Sequence, residues 1–390
     1  MIQSGNMPAT SRHPDLRVVA AAGAILIALA VMAFLERGGR HALLVLLGAA
    51  LGVVLYHASF GFTAAWRRFI VTGEGRGLRA QMVMLAIAVV LFFPALSTGE
   101  LLGERVGGFV MPAGVSVLAG AFIFGVGMQL GGGCASGTLF TVGGGSVRMV
   151  VTLVFFVIGS VLGTAHLGWW LDQPSLGGVS FIRLLGLWPA LLLNLAAFAG
   201  ICILTVAVER RRGVAPQQPA ATDWLLGPWP VMAGAVALAL LNFVTLYLAH
   251  RPWGITSGFA LWGAKWFMMA GIDVTGWDYW RNGRAAIEGS VMADVTSVMN
   301  FGIIAGAFLA SGLAGKFNPS FRLSAVDIVT AVIGGLLLGY GARLAFGCNI
   351  GAFFSGIASG SLHGWFWLVS GFAGNILGAW LRPWVGLPKI

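Results

Sequence analysis

Charge is what this chain has least of. Only 9% of its 390 residues are Asp, Glu, Lys or Arg while 58% are apolar, and no soluble domain of this length could cover itself with so little polar surface. Acids are scarcer still, 13 in all, and nearly absent from the apolar runs; proton coupling through a buried carboxylate has only Asp327, near the start of a span, to draw on. Three cysteines, far apart in apolar surroundings, make neither a disulfide framework nor a C-x-x-C metal site. His57, His166, His250 and His363 are dispersed, with no H-x-x-x-H pair and no carboxylate at matching spacing, so no metal or other cofactor is expected. No Ser-His-Asp or paired-acid constellation can be drawn. The run Gly143-Gly144-Gly145 near Arg148 lacks the G-K-[ST] of a phosphate loop and reads as a turn.

What is there suits lipid as the solvent. Runs of about 20 apolar residues, the length that crosses ~30 Å of hydrocarbon, fall at residues 16–35, 42–58, 80–96, 113–130, 149–171, 187–208, 229–249, 295–314, 324–342 and 364–381. The first run follows Arg12, His13 and Arg17 and is too long for a signal h-region, so it is expected to stay as a helix. The 59 glycines argue for closely packed and broken helices. The net charge of +10 is scattered between the runs, which speaks against nucleic acid and for basic cytoplasmic loops with both termini inside. Trp169, Trp170, Trp277 and Trp280 read as an interfacial belt, and Asn194, Asn242, Asn300 and Asn375 as polar glue between helices.

One motif occurs twice. F-G-V-G-M-Q-L-G-G-G-C-A-S-G-T-L-F begins at Phe124, and L-G-Y-G-A-R-L-A-F-G-C-N-I-G-A-F-F at Leu338. At an offset of 214, Gly125, Gly127, Leu130, Gly133, Cys134, Gly137 and Phe140 fall on Gly339, Gly341, Leu344, Gly347, Cys348, Gly351 and Phe354. Four pieces, at 59–70, 131–142, 250–268 and 345–358, meet a glycine or proline within their first three residues and are too short to cross, as re-entrant half-helices are. Two halves emerge, each reading span, half-helix, span, span, half-helix, span. Five spans separate their starts, which turns them upside down to one another. The expected fold is therefore an all-α polytopic membrane protein of about ten transmembrane helices plus four re-entrant half-helices, with an internal inverted pseudo-twofold repeat. Its parts are 1–41, a tail and extra helix; 42–171, the first half; 172–228, a linking helix and basic loop; 229–381, the second half; and 382–390, a C-terminal tail.

The breaks point to the site. The half-helices after Cys134 and Cys348 would aim N-terminal dipoles at those thiols, and helix N-termini favour anions. Gly133, Gly137, Gly347 and Gly351 would let a solute approach the backbone, beside Ser136 and Asn349. Lys265 and Arg343 would supply positive potential at membrane depth. Cys202, mid-span, reads as a small apolar filler.

The duplicated G-G-C-A-S-G-T-L and G-C-N-I-G, the stretch P-W-G-I-T-S-G-F-A-L-W-G-A-K ending at Lys265, and D-V-T-S-V-M-N-F-G-I-I from Asp294 resemble the YeeE/YedE family of bacterial inner-membrane proteins over residues 42–381. The resemblance implies an hourglass-like helical protein, thiosulfate uptake in one branch, cysteines that pass the ion along by S–H contacts, and small cytosolic sulfurtransferase-type proteins that receive it. Cys134 and Cys348 match two family cysteines. A third has no counterpart, since Ser59-Phe60-Gly61-Phe62 stands there with Gly61 in its place. Gly61, Thr256 and Ser257 join the substrate path on this basis. The expected function is import of a small sulfur-containing anion, thiosulfate first and another sulfur or selenium species as the alternative, without enzymatic turnover. A membrane sulfurtransferase or redox enzyme would need an activated thiolate at Cys134 or Cys348, and the sequence offers no neighbouring base. A scaffold docking a partner through residues 209–228 is a third reading.

Overall fold

A computed structural model of the chain describes residues 13–215 and 222–390; Arg12 and the centre of the 209–228 loop lie outside the described residues. The fold is all-α. Its helices are α1 Leu16–Arg37, α2 Gly39–His57, α3 Phe62–Thr72, α4 Arg76–Thr98, α5 Val115–Gly131, α6 Ala135–Gly143, α7 Val147–Leu171, α8 Phe181–Leu185, α9 Leu187–Arg211, α10 Val231–Ala249, α11 Thr256–Met269, α12 Arg284–Glu288, α13 Val295–Leu313, α14 Ala325–Leu344, α15 Gly356–Ala358 and α16 Leu362–Leu381. Local chemistry sets the ends. Asp15 accepts from Arg17 N at the head of α1, Asp294 from Ser297 N at α13, and Ser324 with Asp327 closes a reciprocal capping box on α14. Strand pairing is confined to loops, Glu100–Leu101 with Glu104–Arg105 and Pro112–Gly114 with Ser175–Gly178.

Nine helical stretches among the described residues are long and apolar enough to cross a membrane. The expected tenth, at 364–381, is the 20-residue helix α16, which is not one of the nine. His363, Asn375 and three tryptophans dilute its hydropathy, and it buries His363, Trp367 and Asn375 instead of offering an apolar surface all round. The four short pieces are separate short elements: α3, α6, α11 and, at 345–358, a π-helix Asn349–Ser355 running into α15. Side chains such as Ile27, Leu35, Leu192, Ile203 and Val369 leave the outer surface apolar, as lipid requires.

Helix packing follows the glycines. At the centre α5 crosses α14; α7 lies on α14 and α16 on α5, while α13 packs on α2 and α4 on α10. Outside these, α1 packs on α13 and α9 on α4. A Cβ at Gly127 would sit 2.8 Å from Leu338 N, and one at Gly341 would sit 2.7 Å from Phe124 N, so no side chain fits at either crossing. Gly125 abuts the Gly371 carbonyl and Gly339 the Phe156 carbonyl in the same way. Such backbone-to-backbone contact is how helices associate where water supplies no driving force.

Trp169 is exposed, whereas Trp280 departs from the interfacial reading. That side chain is buried and donates to Thr164 Oγ1 at 3.1 Å, because the loop after α11 folds back over α7. Two of the asparagines link helices, Asn375 Oδ1 accepting from Gln129 Nε2 at 2.7 Å and Asn194 Oδ1 from Trp365 Nε1 at 3.1 Å, while Asn242 and Asn300 bond the loop ahead of α11 at Trp253 N and Ile255 O.

Candidate functional site

The two cysteine loops share one local geometry. Helix α5 stops at Gly131, Gly132 takes a left-handed conformation (φ 87), and Cys134 is extended (φ −86, ψ −171) ahead of α6. Helix α14 stops at Leu344, Phe346 takes a left-handed conformation (φ 57), and Cys348 is extended (φ −99, ψ −166) ahead of the π-helix. Each sulfur caps the element it precedes. Cys134 Sγ accepts from Gly137 N at 3.4 Å with Ser136 Oγ at the same distance, and Cys348 Sγ accepts from Ile350 N at 3.4 Å. Gly347 admits no larger residue, because a Cβ there would lie 2.7 Å from Ala352 N. The helix α6 touches the π-helix, and both thiols are fully buried in one core. Around them run aromatic contacts: Phe353 stacks on Trp367 with centroids 6.0 Å apart, and Trp367 meets Phe124 at 5.5 Å.

Two cavities approach this core from opposite ends of α10. The first, about 280 Å³, is lined by Gly61, Arg68, Glu74 and Gln81 and by Trp229 and Val231 at the start of α10. The second, also about 280 Å³, is lined by residues 251–253 just past the end of α10, by Thr256, Ser257 and Thr296, and by Tyr279 and Arg343. Between the two lie the 19 residues of α10, a length of about 28 Å at 1.5 Å per residue.

The charged side chains that line the second cavity are both basic, Arg251 and Arg343. Among the described residues, no carboxylate lines it. Arg251 is exposed and donates to Thr296 Oγ1 at 3.0 Å. Arg343 is deeper and buried; its Nη1 donates to Tyr279 OH at 2.6 Å and its guanidinium carbon lies 5.1 Å from the Tyr279 ring centre. Gly347 and Gly351, which flank Cys348, belong to the lining. Two residues of the lining carry buried nitrogens without a protein partner, Arg343 Nε and Trp253 Nε1. Groups of this kind ordinarily find a hydrogen bond, so an unsatisfied set beside a cavity marks where a ligand's polar atoms would go.

The residues singled out from the sequence separate into groups. Arg343, Thr256, Ser257, Gly347 and Gly351 converge on the second cavity, with Cys348 and Asn349 in the chain between the two glycines but outside the lining. Gly61 lines the first cavity. Cys134, Gly133, Ser136 and Gly137 line neither of the two. Lys265 also stays away, because its Nζ donates to the carbonyls of Ile287 and Gly289, both at 2.5 Å, and ties down the loop after α12. Arg251, Tyr279 and Thr296 escaped the sequence reading. Arg251 carried a usable signal, a basic residue directly ahead of the Pro252-Trp253-Gly254 break; Tyr279 arrives from a distant loop and carried none.

The profile of a family described as Sulphur transport matches residues 57–377. The chain belongs to the sulphur transport family. This is the YeeE/YedE resemblance carried by the cysteine motifs. Among sulphur transport relatives, Thiosulfate transporter TsuA of Spirochaeta thermophila is 28% identical over 359 residues, covering 87% of this chain and 97% of its own length. Thiosulfate transporter TsuA of Escherichia coli (strain K12) is 27% identical over 358 residues, covering 87% and 92%. Probable transporter YedE of the same strain is 32% identical over 156 residues, and that match spans 40% of this chain and 38% of YedE. Family membership and the apolar helices together make this sulphur transport protein a multi-pass membrane protein.

Proposed function

We propose that this protein imports a small sulfur-containing anion, thiosulfate in the first place, which descends the arginine-lined cavity and passes Cys348 and then Cys134 without a covalent step. The observation that carries the reading is the second cavity: two arginines, no acid, and a floor formed by the glycines flanking a cysteine. A thiol is a weak donor on a polarizable atom, suited to a brief contact with an anion's oxygen or sulfur. The helical elements beginning at both cysteines add N-terminal N–H groups. Relatives named thiosulfate transporters along most of the chain favour that ion.

Several observations support an inverted repeat with re-entrant half-helices as its frame. Contacts recur at the offset of the two cysteines: Gly127 meets Leu338 as Gly341 meets Phe124, and Gly163 meets Arg343 as Gly378 meets Gln129. The start of α10 is bonded to the end of α2, Trp229 N to His57 O at 2.8 Å, as antiparallel neighbours require. On this plan the halves are 42–171 and 229–381. Helix α1 on α13 then matches α9 on α4, so the expected N-terminal extension and linking helix become a pair of their own. An inner-membrane location with both termini cytoplasmic, and a cytosolic sulfur acceptor, complete the proposal.

Uptake of ³⁵S-thiosulfate into cells stripped of their own importers tests the substrate, with unlabelled sulfate, sulfite and selenite as competitors. Expression of this chain restores uptake and only thiosulfate competes well. Full uptake with equal competition by sulfate would contradict the proposed selectivity, and competition by selenite alone would favour the selenium alternative.

A further inference from the structure

Phe346 holds a backbone conformation that a phenylalanine pays to adopt. Its φ of 57 lies in the left-handed region, where Cβ crowds the following carbonyl and a bulky residue is a genuine outlier. The first copy of the motif solves the same turn without strain: the matching residue is Gly132, with φ 87. The turn therefore does not need a side chain, and a strained residue kept beside a site is a pointer to function. The ring is partly exposed; it lines the second cavity and packs against the core that holds both thiols. Its neighbours Gly347 and Gly351 line the same cavity, yet Cys348, two residues on, is fully buried.

The geometry points to Phe346 as the gate and size filter of this path, its ring covering Cys348 from the cavity and swinging aside only for a small anion. The assignment rests on the cavity being the anion's way in. It also explains why one copy alone carries the ring: the path needs one cover, and Gly132 leaves the other loop without one. A phenyl edge carries partial positive charge, so an anion meets a tolerable surface as it passes. A larger or more strongly hydrated anion stays above the ring.

Accessibility of the thiol tests this directly. In full-length protein purified in detergent with Cys134→Ala and Cys202→Ala, Cys348 is the sole cysteine, and its modification by 2-sulfonatoethyl methanethiosulfonate is followed by mass. Phe346→Gly, which matches the first copy, is expected to speed labelling about tenfold, and Phe346→Asn, also at ease at positive φ, to speed it in the same direction. Phe346→Tyr keeps the ring and stays at the starting rate. Monodisperse elution and a melting temperature no lower than that of the parent show that faster labelling in a variant is not unfolding; if one opening variant fails this check, the other decides. Labelling of the folded opening variant within about threefold of the parent overturns the gate, as faster labelling in Phe346→Tyr also would. Uptake separates the two ideas. Faster labelling in a protein that transports no anion leaves the gate standing and removes the transport reading, whereas unchanged labelling in an active transporter does the reverse.

Discussion

Arg343 and Gln129 stand at matching points of the two copies, and each lies against a glycine of a neighbouring helix: Gly163 for Arg343, Gly378 for Gln129. The surroundings then diverge. Gln129 is spent inside the protein, bonded to Asn375, to Thr63 O and to Arg67, while Arg343 opens on a cavity with one guanidinium nitrogen unpartnered. One end of the molecule thus carries a buried cation where the other carries a neutral amide.

Arg343→Gln copies the other half and should lower anion uptake at least tenfold at low substrate, equivalent to about 1.4 kcal/mol, chiefly through KM. Arg343→Lys keeps the charge but loses the planar fork and should recover only part. Tyr279→Phe removes the 2.6 Å hydrogen bond that aims the guanidinium and should cost about two- to fivefold, a loss near 0.5–1 kcal/mol. Initial uptake rates against substrate concentration check all three.

Gly125→Ala and Gly339→Ala should each destabilise the protein by about 1–3 kcal/mol, since the added methyl meets a neighbouring backbone that has no room to yield. Gly200→Ala, where nothing lies within 4 Å, should be neutral or slightly stabilising in its helix. Thermal unfolding in detergent compares them. Equal melting temperatures for all three would remove the close-packed crossing from the account.

Lys265→Met should leave uptake within about twofold while freeing the end of α12 and the loop after it, because it removes charge-assisted bonds that ordinarily contribute about 1.5–3 kcal/mol each. Hydrogen exchange of that loop should quicken. A collapse of uptake with the loop unchanged would instead place Lys265 in the ion's path.

The legible parts of the molecule were those coded locally. Apolar runs located the long helices, and glycine beside cysteine located both breaks, because only a short apolar stretch with a helix-stopping neighbour has that pattern. What stayed hidden depends on distant partners. Nothing near Tyr279 says that it meets Arg343 from 64 residues away, and nothing in Lys265 says that its ammonium finds two loop carbonyls rather than a cavity. The segment after Cys348 read as a half-helix but winds as a π-helix; its backbone follows a choice between bonds, with Ala352 N and Phe353 N both donating to Cys348 O. Trp280 looked interfacial because it was placed near a span end, and is buried by a loop folding back over α7.

The central claim is that the ion passes two thiols. Purified protein in liposomes, loaded with unlabelled thiosulfate and given ³⁵S-thiosulfate outside, reports the path without cellular partners. Cys348→Ala and Cys134→Ala should each cut exchange by about tenfold or more, the double variant should be no faster than the slower single one, and Cys202→Ala should match the parent. Exchange in the double variant equal to that of the parent would contradict the claim.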